Sequence, residues 1–365
     1  MTTETCLFLC GDVMTGRAID QIMPHSVDPA LHERRMKSAT GYVSLAEKVN
    51  GPISCPVSFD YIWGDAMKEL HNRQPDARII NLETAVTLSD DWTPKGINYR
   101  MHPGNLPCLS SVQIDCCVLA NNHVLDWGES GLRETLQNLR QVTLVAGAGE
   151  TANLASAPAI IHVPGRRVLV FSASIGSSGV PLDWAATDTR PGVSRLDNLS
   201  ANSIEQIIKN VAKFRKPEDI VVFSIHWGPN WGYRIPLAHR RFARRLIDSG
   251  QVDIIHGHSS HHPQGLEVYR GKLILYGCGD FINDYEGIPF KKKYRSDLCL
   301  MYFPVLGDNG QLVQCAMVPM KIHRLSVQYA STEEAAWLSK RLTKKSPKFN
   351  IRLGSNSDGS IDLRW

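Results

Sequence analysis

Short apolar runs alternate with segments of helical period along the first 285 residues, and six of these runs end in polar motifs. The runs are rich in branched and aromatic residues and have the length of buried strands. In chain order, the motifs are GD (11–12), NLE (81–83), NNH (121–123), HWG (226–228), HGHSSH (256–261) and GCGD (277–280). The pattern predicts an α/β fold in which a single sheet gathers these motifs along one edge.

The same pattern predicts the individual elements. Strands are expected over 6–10, 77–80, 115–120, 142–146, 167–173, 219–225, 252–255, 272–276, 297–304 and 312–324. Helices are expected over 14–23, 62–72, 129–141, 201–214, 236–249 and 332–343, followed by a ragged end. Residues 24–60 carry four prolines and no sustained period, so we interpret them as an insertion that forms a lid or a wall of the site.

Four histidines crowd into the seven positions 256–262, directly after the apolar run Val252–Ile255. The pattern places them where a strand ends and a loop begins, which is the edge where open α/β sheets bind ligands. Histidine is the commonest nitrogen ligand of metals, and several on one short loop lower the entropic cost of gathering ligands. A solvated, histidine-rich turn is the alternative, and it explains one histidine better than four.

The six strand ends together offer oxygen and nitrogen ligands for a metal ion. A mixed set suits a divalent ion such as manganese, iron(II) or zinc, and calcium if mainly the oxygens bind. Such an ion polarises a carbonyl or phosphoryl oxygen, or acidifies a bound water. The candidate ligands are Asp12, Glu83, Asn122, His226, His258 and one of His256 or His261.

Other residues near the strand ends are candidates for acid/base chemistry and substrate binding. His123 and Asp126 could form an acid/base pair, because a nearby carboxylate fixes the tautomer of an imidazole; Asp126 could equally be a helix N-cap. Arg17 could meet an anionic substrate group, or form a surface salt bridge. Trp227 and Tyr233 could wall an apolar substrate, although most aromatic residues belong to the core.

Composition narrows the class of protein. With 365 residues, 43% hydrophobic and 21% charged, the chain can form one large α/β domain or two smaller ones. A net charge of +4 and a single dense basic run, KKKY at 291–294, make nucleic-acid binding a poor prediction. Nine cysteines without zinc-knuckle spacing, and an opening without a signal peptide or membrane span, predict a reduced, cytoplasmic protein.

The motifs GDVMTGR, NLETAV, ANNHVLDWG, IHWGPNWGY and HGHSSHHPQGLEVYRGKLILYGCGDF, in that order, resemble the CapA family of poly-γ-glutamate synthesis proteins over residues 11–285. That family resembles the calcineurin-like metallophosphoesterases, so the resemblance implies a four-layer α/β/β/α sandwich with a metal site at the carboxyl edge of the strands. It matches Asp12 to the first-motif aspartate and Glu83 to the bridging carboxylate. It further matches Asn122 and His123 to the asparagine ligand and general acid, His226 to the lone histidine ligand and His258 to the final motif.

The sequence departs from the phosphoesterase motifs at three places. Met14 stands where the first motif has histidine, and Glu83 stands where aspartate is usual. The last motif reads GHSSH, so its second histidine is His261, with His256 as a rival. Members of the CapA family are typically membrane-attached or exported, whereas this sequence shows no anchor.

These features lead to one expected organisation and three expected functions. Residues 1–330 are predicted to form a single CapA-like domain, on which 331–365 pack as a helix and tail.

The first expected function is a metal-dependent enzyme with acid/base chemistry on a glutamyl, peptide or phosphoester substrate. The second is a metal-dependent peptide epimerase of ribosomal-peptide biosynthesis, in which pairs such as His123 with Asp126, and His258 or His261 with Asp12 or Asp280, move a Cα proton. The third is a non-catalytic protein that binds a glutamyl polymer or a partner.

Overall fold

The structure is a computed structural model, and it describes residues 4–289, 292–346, 349, 351–356 and 358–365. The α-helices are α1 (Ala18–Ile22), α2 (Thr40–Asn50), α3 (Ala66–Arg73), α4 (Pro107–Ser110), α5 (Gly128–Leu139), α6 (Ala152–Ser156), α7 (Ala201–Ala212), α8 (Leu237–Asp248) and α9 (Thr332–Lys345). Short 3-10 helices lie at Tyr61–Trp63, Pro103–Asn105, Gly176–Ser178, Leu182–Trp184, Lys292–Tyr294 and Asp308–Gly310.

The strands follow the apolar runs of the sequence. They are β1 (Thr5–Val13), β2 (Ala77–Leu82), β3 (Ala85–Val86), β4 (Arg100–Met101), β5 (Cys116–Val118), β6 (Leu144–Ala146), β7 (Ala148–Gly149), β8 (Ala159–Val163), β9 (Arg166–Ile175), β10 (Gly192–Val193), β11 (Arg195–Leu196), β12 (Ile220–His226), β13 (Ile254–His258), β14 (Leu266–Tyr269), β15 (Lys272–Leu275), β16 (Asp280–Ile282), β17 (Leu298–Leu306), β18 (Leu312–His323), β19 (Ser326–Tyr329), β20 (Arg352–Ser355) and β21 (Ile361–Arg364).

Most of these strands belong to two large sheets. The first has the order β20-β21-β18-β17-β1-β2-β5-β6, with β16 beside β1 and β19 beside β18. The second has the order β11-β9-β12-β13-β15-β14, with β8 beside β9. In the first sheet β1, β2, β5 and β6 are parallel, and in the second β9, β12, β13 and β15 are parallel. The pattern of polar strand ends predicted a single sheet, and this was wrong, because the motifs come from both sheets.

The two sheets stack face to face and helices cover both outer faces. Alternate residues of a strand point to opposite faces, so Leu7 and Leu9 of β1 share the core between the sheets with Val170 of the second sheet. Phe8, which points the other way, packs in a separate core with α1, α3 and α5. On the far side, Val221 of β12 packs with α7 and α8. These layers confirm the α/β/β/α sandwich that the resemblance implied.

A close approach of two backbones joins the sheets at the end of β1. A Cβ on Gly11 would lie 1.6 Å from the carbonyl oxygen of Gly279, so only glycine fits there. The Asp12 N–H donates to that same oxygen at 2.9 Å. As a result, the chain that leaves β15 of the second sheet enters the first sheet as β16, beside Asp12.

Several predicted elements differ from those in the structure. The strand before the histidines extends to His258, because its parallel ladder with β12 continues to the pair His226 and His258. The helix expected over 14–23 is confined to α1, because β1 runs to Val13 and the backbone turns at Arg17 with φ of 49°. Residues 24–60 contain α2, and 352–355 and 361–364 form β20 and β21 on the first sheet, where a ragged end was expected.

Candidate metal centre

The carboxyl ends of β1 and β2 from the first sheet meet those of β12 and β13 from the second at one rim. β1 brings Asp12, and β2 is followed immediately by Glu83. β12 and β13 end side by side at His226 and His258. Side chains that are up to 246 residues apart in the sequence are thereby brought into one buried neighbourhood.

Asp12, His226 and His258 form the centre of this neighbourhood. Each offers one ligand atom, and the three atoms lie within 4.8 Å of one another. The Nδ1 atoms of the two histidines are 2.7 Å apart, and His258 Nδ1 lies 3.9 Å from Asp12 Oδ1. All three side chains are buried, with at most 1% of His226 exposed.

Neighbouring hydrogen bonds fix the tautomer of His258. His256 donates from Nε2 to the Cys10 carbonyl at 2.7 Å, so in its neutral form Nδ1 must accept, and it does so from the Ser224 hydroxyl at 3.1 Å. The hydroxyl group of Ser224 has one proton, which it donates to His256. The Ser224 oxygen must therefore accept a hydrogen bond from His258 Nε2, at 2.8 Å. The lone pair of His258 therefore sits on Nδ1 and faces Asp12 and His226.

The same reasoning applies to His226. Its Nε2 lies 2.8 Å from the Asn122 side-chain oxygen, which can only accept, so the lone pair of neutral His226 is on Nδ1. Two imidazole lone pairs thus face each other beside a carboxylate. This arrangement is unfavourable by itself and fits a cation that all three groups share. The donor set of Asp12, His226 and His258 therefore fits a divalent metal ion.

Glu83 and Asn122 complete the wall around these three residues. Glu83 Oε1 lies 3.7 Å from His226 Nε2, and Glu83 Oε2 is buried without a hydrogen-bond partner in the described part of the chain. A buried carboxylate oxygen without a donor is costly unless a cation or water binds it. Glu83 is thus placed to add a further oxygen ligand to the centre.

Burial dominates the electrostatics of the centre. It raises the pKa of Asp12 to about 7, with the Asp280 carboxylate adding to the shift. Burial also raises the pKa of Glu83 well above its usual range, and Asp12 and Asp280 raise it further. Burial lowers the pKa of His226 and of His258 well below the usual value, so both are neutral. Buried carboxylates that lie close together repel each other when ionised, and a bound cation would relieve that repulsion.

Beside the centre, Asp126 holds His123 in place. His123 Nδ1 lies 2.6 Å from Asp126 Oδ2, and its Nε2 lies 3.8 Å from Glu83 Oε1. Asp126 also accepts from Lys95 Nζ at 2.7 Å and from the Tyr99 N–H at 2.7 Å. Burial lowers the pKa of His123 to about 4, although Asp126 opposes the shift. The ring is therefore neutral, with Nδ1–H on Asp126 and the Nε2 lone pair toward the centre.

A second pair of histidine and carboxylate lies on the other side of Asp12. His261 Nδ1 is 2.9 Å from Asp280 Oδ1, and Asn283 donates to the other oxygen of Asp280 at 3.0 Å. Burial lowers the pKa of His261, but Asp280 outweighs this effect and raises it overall. The imidazole of His261 thus gains a proton more readily than that of His123.

His256 is placed differently from the other candidate ligands. Both of its ring nitrogens are engaged, one by the Cys10 carbonyl and one by Ser224. Burial lowers its pKa to about 4, so it is neutral and has no free lone pair. In this position His256 orients His258 through Ser224 and does not itself face Asp12.

The three residues considered for substrate binding are engaged by other side chains. Arg17 is only 4% exposed and forms a buried ion pair with Asp284 and with Glu33, so it is neither on the surface nor open to a ligand. Trp227 stacks on His239 in the core beneath α8 and donates from Nε1 to the Tyr276 carbonyl. Tyr233 contacts His262 at 4.4 Å between ring centroids.

Two residues that contribute to the centre were not predicted. Ser224 orients both His256 and His258. The two-residue period of a strand could have identified it, because Ser224 and His226 are two residues apart on one face of β12. Lys95 binds Asp126 and the Asn122 carbonyl from the loop after β3. Because a single lysine in a loop carries no periodic signal, only the tertiary structure could reveal it.

The protein is thus a four-layer α/β/β/α sandwich. At the joined strand ends it carries a candidate metal site made of a buried carboxylate and buried histidines. The sequence matches the family described as "Bacterial capsule synthesis protein PGA_cap" over residues 6–285, and the chain belongs to this family.

Its relatives carry related names. The chain is 43% identical over 362 residues to a "Probable polyglutamine synthesis accessory protein" of Mycobacterium tuberculosis, covering 98% of this chain and 95% of that protein. It is 29% identical to "Capsule biosynthesis protein CapA" of Bacillus anthracis, over 84% of this chain and 72% of that protein. A solved structure described as a novel phosphatase of Mycoplasma pneumoniae aligns with a TM-score of 0.47 and 12% identity, over 88% of this chain and 95% of that one.

Among the described residues, none of the helices combines the length and the apolar character that crossing a membrane requires.

Proposed function

We propose that this chain is a metal-dependent enzyme that performs acid/base chemistry on a glutamyl, peptide or phosphoester substrate. One observation carries the proposal: the lone pairs of His226 and His258 lie next to Asp12, and hydrogen bonds to Asn122 and Ser224 set the tautomers of the two histidines. The names of the relatives, which refer to polyglutamine and capsule synthesis, support a glutamyl substrate.

Asp12, His226 and His258 would hold the metal, with Glu83 and Asn122 next to them. Two neutral imidazoles favour manganese, iron(II) or zinc, and they disfavour calcium, which prefers oxygen ligands. When bound, a divalent ion of this kind supplies a Lewis acid that polarises a carbonyl or phosphoryl oxygen. The phosphoesterase motif has a further histidine at the position of Met14. Met14 is only 1% exposed and lies in the core, and it adds no nitrogen ligand.

His123 and His261 would move protons on the two sides of this centre. His123 would accept a proton at Nε2, since Asp126 holds its Nδ1–H and would stabilise the resulting imidazolium. His261, whose pKa Asp280 raises, would donate one from Nε2, which lies 2.8 Å from the Asn230 side-chain nitrogen and would have to leave that contact. Lys95 orients Asp126 and so positions His123. His123 is only 8% exposed, and such burial limits the access of water to the side chain that would accept the proton.

Metal content and turnover together test this proposal. Purified protein dialysed against manganese or zinc should retain metal by elemental analysis, and Asp12→Asn and His226→Ala should each lose most of it. His239→Ala is the matched control, because this buried histidine stacks on Trp227 and is outside the group formed by Asp12, His226 and His258. His226→Ala and Glu83→Ala should abolish turnover with little loss of folding. Wild-type protein that retains no metal would instead favour a non-catalytic protein that binds a glutamyl polymer.

Peptide epimerisation is a second candidate, and one observation favours it. There are two pairs of a histidine and a carboxylate, His123 with Asp126 and His261 with Asp280. The first pair lies beside Glu83, and the second lies where β16 runs next to Asp12. Removing a Cα proton and returning it to the other face needs two such groups. Incubation of candidate peptides in deuterium oxide separates the reactions. Deuterium at Cα without other change in mass indicates epimerisation, whereas free phosphate or a cleaved amide indicates hydrolysis.

A further inference from the structure

The residues beside Asp12 bear on how many metal ions the centre holds. Two-metal phosphatases keep their ions about 3.5–4 Å apart, so that the pair clamps the attacking and the leaving oxygen of a displacement. A second ion beside the first would need ligands of its own. Met14 follows Asp12 by two residues, Asp280 lies opposite Asp12 in the pairing of β1 with β16, and His261 contacts Asp280. These three neighbours decide whether such ligands exist.

Met14 brings a sulfur atom to this side of the centre, and Tyr285 binds that sulfur. The Tyr285 hydroxyl donates to Met14 Sδ at 3.6 Å, and its ring packs edge-on against His261 with 5.4 Å between the centroids. Burial raises the pKa of Tyr285 well above its usual value, so the hydroxyl keeps its proton and is not a phenolate ligand. A thioether is a soft donor and a poor partner for manganese, which prefers oxygen ligands.

His261 has no lone pair left for a metal ion. Its Nδ1 lies 2.9 Å from Asp280 Oδ1, and its Nε2 lies 2.8 Å from the side-chain nitrogen of Asn230. In the neutral ring, Nδ1–H donates to Asp280 and Nε2 accepts from the Asn230 amide. In the protonated ring, both nitrogens carry a proton. His261 is therefore bound in both forms as a partner of Asp280, and not as a metal ligand.

The carboxylates near Asp12 do not form a further ligand group. Asp280 accepts from His261 through one oxygen and from Asn283, at 3.0 Å, through the other. Over the part of the chain that the structure describes, one set of three or more His, Cys, Asp or Glu residues has all its ligand atoms within 4.8 Å of one another, and it consists of Asp12, His226 and His258. The described residues thus provide a ligand set for one ion.

We infer that the centre holds a single divalent ion and that Met14 excludes a second one. The His261 and Asp280 pair, which can move a proton, lies on the side where the further ligands would be needed. One ion polarises one oxygen, but it does not clamp both oxygens of a displacement at phosphorus. The centre therefore favours a carbonyl substrate, such as an amide, over a phosphoester. Both statements rest on the proposed function, because both require the metal.

Counting the metal ions in the full-length protein tests the inference. Wild-type protein that is dialysed against manganese and then freed of excess ion by gel filtration should contain about one manganese per chain by elemental analysis. Electron paramagnetic resonance should show the hyperfine pattern of an isolated manganese(II) ion.

A variant at position 14 tests the role assigned to Met14. Met14→His supplies a nitrogen ligand, so its content should rise to about two manganese ions per chain, with the exchange-coupled spectrum of a neighbouring pair. Met14→Leu is the matched control, because leucine has a similar volume and no ligand atom, and it should stay at about one ion. Circular dichroism checks that both variants fold. Should Met14→His not fold, the ion count and the spectrum of the wild type decide by themselves.

Three results would overturn the inference. Wild-type protein with two coupled ions would refute the single ion, and a folded Met14→His that keeps one ion would refute the role of Met14. Hydrolysis of p-nitrophenyl phosphate by the manganese-loaded wild type, faster than by His226→Ala, would refute the preference for a carbonyl substrate. Wild-type protein that holds no metal would overturn the proposed function as well, whereas two ions would leave a metal-dependent enzyme in place.

Discussion

The chemistry of the candidate centre depends on residues that do not themselves face the metal position. His258 presents Nδ1 only because Ser224 occupies its other nitrogen, and Ser224 is committed only because His256 is anchored on the Cys10 carbonyl. The backbone N–H of Ser259 also donates to Asp12 at 3.1 Å, from a residue held at φ of 97°. Strain of this kind is typical of functional sites.

Replacing Ser224 by alanine should weaken metal binding without unfolding the protein. His258 then loses the acceptor that sets its tautomer, and loss of such an outer partner typically costs tenfold to about a hundredfold in affinity. Titration calorimetry with manganese measures the effect. The control is Ser172→Ala, since Ser172 pairs with Ser224 in register and its buried hydroxyl has no partner among the described residues. Equal affinities of the two variants would contradict the proposed role of Ser224.

Much of the centre could be recognised from residue type and strand ends alone. Asp12, Glu83, Asn122, His226 and His258 each follow or end an apolar run, so their position at the rim was predictable. The choice among the neighbouring histidines was not. That choice depends on which nitrogen each ring has free, and hydrogen bonds between β1, β12 and β13 decide it.

At the scale of elements, α9 shows how local sequence and long-range charge act together. Ser331 and Glu334 form a capping box, which is visible in the sequence as a serine followed three residues later by glutamate. Glu334 also accepts from Lys321 at 2.7 Å and from Arg295 at 2.7 Å, contacts that the sequence does not reveal. Partial burial raises the pKa of Glu334, but the Lys321, Ser331 and Arg295 donors outweigh it and lower the pKa to about 2.

These ion pairs should make the stability of the protein depend on acid pH. Because the folded pKa of Glu334 is depressed, its contribution is present above its ordinary value of 4.5 and is lost as pH falls toward about 2. Glu334→Gln should lower the free energy of unfolding by about 1 kcal/mol at pH 7, since solvent screens a partly exposed pair. Urea unfolding at pH 7, 4 and 3 should show this difference shrinking.

Glu333→Gln provides the matched control for that measurement. Glu333 lies in the same first turn of α9 and is exposed, so it shares the helix-dipole effect but not the ion pairs. Its stability difference from the wild type should be smaller at pH 7. A loss for Glu334→Gln that stays constant from pH 7 to pH 3 would show that the ion pairs do not stabilise the fold.

At the scale of the whole molecule, α9 and β21 near the carboxyl end of the chain pack into the sandwich. Leu338 and Leu342 of α9 and Ile361 and Leu363 of β21 lie in the core between the two sheets. β21 pairs with β18, so it covers an edge of that strand. The division of the chain at residue 330 stays a prediction, and these contacts indicate how to test it.

A chain that ends after residue 330 should fold poorly or aggregate. It would lose four buried aliphatic side chains, each worth about 1.5–3 kcal/mol, against a typical total stability of about 5–15 kcal/mol. It would also expose the edge of β18, which invites pairing between molecules. Circular dichroism and gel filtration measure both effects, with full-length Leu338→Ala as an intermediate case. A monomeric truncated protein with an unchanged melting temperature would show that 331–365 are only an appendage.

The sequence by itself determined the alternation of strands and helices and the polar residues at the strand ends, because both depend on local period and residue type. Its motif order also indicated the CapA family, which the family match confirmed. Only the tertiary structure decided that two sheets meet at the rim and that Ser224 and Lys95 support the centre. These facts depend on contacts between residues that are distant in sequence, and no local pattern records such contacts.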